Sequence, residues 1–127
     1  MSSVAEIYQT MSFGPAPESD APARRWLAEH EHTFGHYIGG RWVAGATHFE
    51  VRNPADGNVL ARVAQGSRQD IDAAVAAARG ALPGWAGLPG HARARWLYAL
   101  ARGVQRHSRL FAVLETLDNG KSVRETR

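Results

Sequence analysis

Apolar residues in this chain recur at two periods, and the switch between them divides it into elements. Leu110, Leu114 and Leu117 recur at helical spacing, with Phe111 one turn before Leu114. That stripe predicts a helix capped at its start by Ser108 and closed by Asn119-Gly120, residue types that tolerate the left-handed backbone just past a helix end. Ser122-Val123-Arg124-Glu125 follows at once as a Ser-x-x-Glu capping box opening another helix. A helix that meets the last residue, Arg127, inside its first turn is not stable alone, so the sequence reads as the front part of something longer.

Upstream, Val4, Ile7, Tyr8 and Met11 form an i, i+3, i+4, i+7 stripe, which predicts a short amphipathic helix over residues 3–11 that must dock on something. Two prolines and a glycine keep Phe13–Ser19 out of helix. Ser19-Asp20 with Pro22 marks a second start, and the helix through Trp26-Leu27 is expected to end near Gly35. Residues 1–35 therefore read as a preface wrapped on a body formed by residues 36–127.

From Tyr37 the period shortens. Tyr37–Val43 and Thr47–Arg52 read as two strands joined by Ala44-Gly45-Ala46, with Phe49 and Val51 on one face and His48, Glu50 and Arg52 on the other. Gly39-Gly40 has the freedom for a turn, a bulge or a close backbone approach. Asn53-Pro54-Ala55-Asp56-Gly57 is a strong turn signal, and Val59–Val63 reads as a third strand. The long period then returns. Ser67 caps a helix whose Asp70 sits near the positive end, and Ile71, Val75, Ala78 and Leu82 make its apolar stripe. Pro83-Gly84 reads as the stop, with Trp85 in a loop closed by Pro89-Gly90. A long helix from about Ala92 to His107 would bury Trp96, Leu97, Leu100, Ala101 and Val104.

Composition narrows the function classes. Apolar residues are 44% of the 127, and charged residues 21%, as in ordinary globular proteins. No apolar run approaches a membrane span, and Met1–Glu6 has no secretory pattern, so the expectation is a cytoplasmic protein without a membrane partner. There is no cysteine, which excludes disulfides, thiolate zinc sites and thiol nucleophiles within these residues. The net charge of +3 comes from fourteen arginines and one lysine against twelve acids. The arginines are scattered, and those at 93, 95, 102 and 106 lie mostly off their helix's apolar stripe, so solvated helix faces explain them better than a nucleic-acid partner.

Candidate chemistry is sparse. His32 and His36 are four apart, a spacing that can put two metal ligands on one helix face, with His30 nearby. Gly35 lies between them and no third ligand type is fixed close by, so exposed histidines at a helix end are the better reading. The serines sit at caps and loop starts, without a G-x-S-x-G elbow, and no phosphate-binding glycine motif occurs. Glu115 and Asp118 can share a helix face, where solvation or an ion pair with Lys121 or Arg124 is favoured over acid–base work.

Four stretches carry a resemblance. Tyr37-Ile-Gly-Gly-Arg-Trp-Val, Val51-Arg-Asn-Pro-Ala-Asp-Gly-Asn-Val-Leu-Ala-Arg-Val, Asp70-Ile-Asp-Ala-Ala-Val-Ala-Ala-Ala-Arg with Trp85, and Leu114-Glu-Thr-Leu-Asp-Asn-Gly-Lys121 occur in that order. Together they resemble the N-terminus of an NAD(P)-dependent aldehyde dehydrogenase, over about residues 34–121. The leader Ile7-Tyr-Gln-Thr-Met-Ser-Phe-Gly-Pro-Ala-Pro-Glu-Ser19, with Trp26-Leu27, further resembles aldehyde dehydrogenase family 16, whose members carry a second, degenerate dehydrogenase-like region.

The resemblance implies an α/β fold in which a β-hairpin and amphipathic helices pack on a Rossmann-like cofactor domain. It implies oxidation of an aldehyde substrate to the acid with NAD or NADP in the full-length protein, and a homo-oligomer. A cysteine thiolate attacks the aldehyde, hydride passes to nicotinamide, and a glutamate-activated water releases the acid. In the family those residues and the glycine-rich cofactor turn lie C-terminal to the matched region, so no catalytic or cofactor-binding residue is expected here. One family feature reaches the segment, a structural monovalent cation held by main-chain oxygens and one carboxylate. The matching positions are Val51 and Arg52 for main-chain oxygens and Asp118 for the carboxylate, against the plainer reading that Asp118 bonds helix-end amides. A non-catalytic dehydrogenase-like scaffold that binds partners is the alternative, and an independent basic nucleic-acid binder a more distant one.

Overall fold

The computed structural model describes residues 19–126. The expected helix over residues 3–11 lies outside them. The elements run α1 (Ala21–Glu29), β1 (Thr33–Phe34), β2 (His36–Ile38), β3 (Arg41–Val43), β4 (Thr47–Arg52), β5 (Val59–Gln65), α2 (Arg68–Ala86), α3 (Gly90–Arg106), α4 (Ser108–Asn119) and α5 (Val123–Thr126). The fold is α/β. Its main sheet has the order β1-β5-β4, with β1 parallel and β4 antiparallel to β5; β2 and β3 form a separate two-stranded sheet.

The core forms where α1 and α4 pack by the main sheet. Its buried residues are Ala23 and Leu27 of α1, Leu60, Ala61 and Ala64 of β5, and Ala112 and Val113 of α4. Trp26, Phe34, Val51, Leu114 and Leu117 pack at its edge. β5 occupies the middle of the sheet, which is why it supplies three of these residues. Opposite the step from Val51 to Arg52, β5 carries one extra residue, Leu60, between Ala61 and Val59. Such a bulge takes a residue out of the ladder. The Leu60 carbonyl is satisfied by His32, whose Nδ1–H donates to it at 2.8 Å.

Several predicted boundaries are corrected. The first helix ends at Glu29, not Gly35, because Glu31 and His32 take left-handed φ values of 53° and 52°. That kink aims the His32 carbonyl at the Arg62 N–H, 2.7 Å away, and starts β1. The strand expected over Tyr37–Val43 is a hairpin by itself, turning at Gly39-Gly40, where φ is 61° and 80°. Those positive values are the ones a two-residue hairpin turn requires, so the pair's freedom is spent on the turn. Consequently Ala44-Gly45-Ala46 connects two different sheets instead of closing a hairpin.

The helix after Ser67 runs through Pro83-Gly84 to Ala86, so Trp85 is helical. Proline's fixed φ fits a helix and costs one hydrogen bond to the preceding turn, a loss confined here to the last turn. The next helix starts at Gly90 rather than Ala92, and Ser108 is its successor's first residue rather than a side-chain cap. The larger correction concerns burial. Trp96 and Leu100 on α3 are each 66% exposed and Ile71 on α2 is 60% exposed, and neither helix has a buried residue.

Candidate functional site

The two motif stretches at Val51–Val63 and Leu114–Lys121 meet at one end of the main sheet. The turn between β4 and β5 is held from within. Asn53, only 5% exposed, accepts the Ala55 N–H on its Oδ1 at 3.0 Å and the Gly57 N–H on its carbonyl at 2.8 Å. Asp56 accepts the Asn58 N–H at 2.9 Å, and that bond holds its carboxyl below the ordinary 3.8. Arg52 reaches over the turn, donating from Nη1 to the Gly57 carbonyl at 3.0 Å and from Nη2 to Glu50.

The C-terminus of α4 lies against this turn. Gly120 takes the left-handed conformation, φ 78°, and its N–H donates to the Thr116 carbonyl at 3.0 Å. A Cβ there would stand 3.0 Å from Cγ of Pro54. Glycine is thus required twice, by backbone angle and by the proline ring. Beyond it Lys121 folds back, its N–H bonded to Asn119 Oδ1 at 2.9 Å and its Nζ to Glu115 Oε1 at 3.1 Å. The hydrogen bond from Lys121, then that from Asn119, then the lysine's charge hold the Glu115 carboxyl below its ordinary 4.5. Glu115 is therefore an ion-pair partner, as the sequence favours.

Between α4 and the sheet lies an open hollow of about 470 Å³. Leu27, Phe34, Val63 and Leu117 give it an apolar lining, and Val51 and Asp118 both border it. Two of the three expected cation-site positions therefore share one hollow. Arg52 does not line it. The Asp118 carboxylate has no hydrogen bond or ion pair among the described residues.

The three histidines do not gather. His30 joins Trp26 and Phe34 in a triangle of rings, with centroids 4.2 and 5.8 Å from its own and 5.4 Å from each other, and its Nδ1–H donates to the Trp26 carbonyl at 2.8 Å. His32 serves the bulge. His36 lies on β2 beside α2, so the helical i, i+4 spacing does not apply to it. Among the described residues no group of three or more His, Cys, Asp or Glu side chains is placed to hold a metal ion. Asp70, read from the sequence only as a charge near a helix start, completes a reciprocal capping box. It accepts from the Ser67 N–H at 2.8 Å and hydroxyl at 2.6 Å, and the Asp70 N–H returns to Ser67 Oγ at 3.2 Å. The Ser67 bonds, side chain before backbone, and then the nearby His36 hold its carboxyl below the ordinary 3.8.

Residues 42–127 match the model of the aldehyde dehydrogenase family. The chain belongs to the aldehyde dehydrogenase family. It is 42% identical over 95 residues to acetaldehyde dehydrogenase 2 of Cupriavidus necator, covering 73% of this chain and 19% of that one. The fold overlays HpcC from Thermus thermophilus with a TM-score of 0.78 and 30% identity, over 84% of this chain and 21% of that one. It overlays betaine aldehyde dehydrogenase from Staphylococcus aureus, in complex with NAD+, with a TM-score of 0.76 and 30% identity, over 84% and 22% of the two chains. The chain thus spans about a fifth of the length of the aldehyde dehydrogenases it matches. No helix among the described residues is long and apolar enough to cross a membrane.

Proposed function

We propose that this chain forms the N-terminal part of an enzyme that oxidises aldehydes to carboxylic acids with NAD+ or NADP+. The observation that carries the reading is the family match over residues 42–127. The exposed apolar faces of α2 and α3 support it, because a cofactor domain packed on them would remove that surface from water. The nucleophile must come from elsewhere in the enzyme, since these 127 residues contain no cysteine. Their own part is to order the hairpin, the main sheet and the helices that carry the cofactor domain.

Finer points of the proposal rest on the sequence. The leader through Ser19 and Trp26-Leu27 supports family 16 membership. Residues 1–35 act as the preface and 36–127 as the opening of the dehydrogenase domain. The enzyme works in the cytoplasm as a homo-oligomer, without a nucleic-acid or membrane partner. A monovalent cation bound by main-chain oxygens of Val51 and Arg52 and the carboxylate of Asp118 completes the sheet end; the hollow shared by Val51 and Asp118 supports this. The test is reduction of NAD+ or NADP+ by the purified natural chain at full length, with acetaldehyde and betaine aldehyde as first substrates. Turnover that stops on thiol alkylation is expected. A full-length chain without a reactive cysteine and without turnover would replace the enzyme by a non-catalytic scaffold.

A further inference from the structure

The β2–β3 hairpin shares no ladder with the main sheet, so side chains must hold it in place. It touches α2 at two points. Near its tip, a Cβ on Gly39 would lie 3.7 Å from that of Ala77. At its base, His36 Nε2 lies 3.7 Å from Asp70 Oδ2, and the two side chains are 20% and 23% exposed. On its other side a hollow of about 310 Å³, bordered by His30, Phe34 and Trp42, separates the hairpin from the end of α1. The base contact is unfinished. His36 Nε2 is buried and has no hydrogen-bond partner, and an orphaned buried nitrogen is costly to keep. A small closure toward Asp70 gives it an acceptor.

We propose that His36 and Asp70 form a pH-operated latch, in which protonation of the imidazole draws the hairpin onto the first turn of α2. The groups facing the ring decide the sign. From α2 it meets the Asp70 carboxylate and the positive end of the helix. From β3 it meets Val43, which is uncharged, and from the connection before α2 the Gly66 backbone. Arg68 and Asp72 point to solvent and pair with each other at 4.0 Å. A helix start carries about half a unit of positive charge spread over its first turn. The full negative charge of Asp70 at 3.7 Å outweighs it, so the imidazolium is attracted. That attraction exists only while the ring is charged.

The latch does not depend on the oxidoreductase reading. Its test is amide hydrogen exchange of the hairpin at pH about 5.5 and about 8, on either side of the range where histidines titrate. The natural full-length chain is used, with protection factors corrected for intrinsic rates. Protection of the β2–β3 amides should be about threefold higher at the lower pH, within the range of effects that single ion pairs show. His36→Gln and Asp70→Asn should each flatten the dependence, and Asn keeps an oxygen for the Ser67 N–H. The proposal is overturned if the wild-type hairpin shows no pH dependence. It is also overturned if the dependence survives in His36→Gln, or if both variants lower protection equally at both pH values.

Discussion

The α1–sheet–α4 half and the α2–α3 half of this molecule carry similar sequence patterns and have opposite fates. Both have apolar residues at helical spacing. Leu27 and Val113 in the first half are 6% and 7% exposed; Leu97 and Leu82 in the second are 58% and 57% exposed. The difference is in what lies opposite. α1 and α4 face β5, whose Leu60, Ala61 and Ala64 complete a small core. α2 meets only the small β2–β3 sheet at its edge, and the apolar faces of α2 and α3 stay exposed among the described residues. Periodicity therefore reports which face of a helix is meant to be covered, and burial reports whether the cover is present. On the function proposed above, the cofactor domain of the full-length enzyme would be that cover.

Substitutions in the two halves should separate them. The largest effects are expected for two truncations, of which Leu27→Ala removes a buried side chain from the core and costs about 2–5 kcal/mol of stability. Trp96→Ala changes the stability of the segment 1–127 by less than about 0.5 kcal/mol, as an exposed substitution does, but should cost about 3–5 kcal/mol once its face is covered. Denaturant titration of the segment and of the full-length chain reads both. Next comes Gly120→Ala, which forces a left-handed alanine against Pro54, at about 1–2 kcal/mol. It should loosen the β4–β5 turn, seen as faster exchange of the Gly57 amide. Ser67→Ala removes the cap of α2 and should cost about 1 kcal/mol, read as lost helical dichroism.

The smallest effect is a pH dependence in the open half. Asp70 is held below its ordinary 3.8 by the capping bonds. A carboxyl lowered on folding contributes its stability above its unfolded value and loses it as the pH falls through the folded one. Helicity of α2 should thus fray below pH 3.8 in the wild type. In Asp70→Asn the same fraying should be weaker.

What the sequence showed clearly was local chemistry with a single outcome. Asn53–Gly57 formed its turn, Asn119-Gly120 ended α4 with a left-handed glycine, and Ser67 capped α2. The meeting of Val51 and Asp118 at one hollow was reached only through the family resemblance, since nothing local ties positions so far apart. The misreadings lie where two local outcomes were close in energy. Pro83-Gly84 reads as a stop, but proline's φ suits a helix. Gly39-Gly40 permitted a turn, yet seven residues of strand pattern hid a hairpin inside it. Glu31 and His32, neither of them the usual glycine, took a left-handed backbone that closes the helix end, their N–H groups returning to the Ala28 and Leu27 carbonyls, while tertiary bonds tie His32 to Leu60 and Arg62. Asp70's second neighbour, His36, was invisible because it comes from another element.

The central claim is that the α2–α3 face is covered by the rest of an aldehyde dehydrogenase. Hydroxyl-radical footprinting of Trp96 and Leu97, neighbours on the exposed apolar stripe of α3, tests it most directly, comparing the segment 1–127 with the natural full-length chain. Both residues should be modified readily in the segment and protected in the full-length chain. Equal modification in the two would contradict the account.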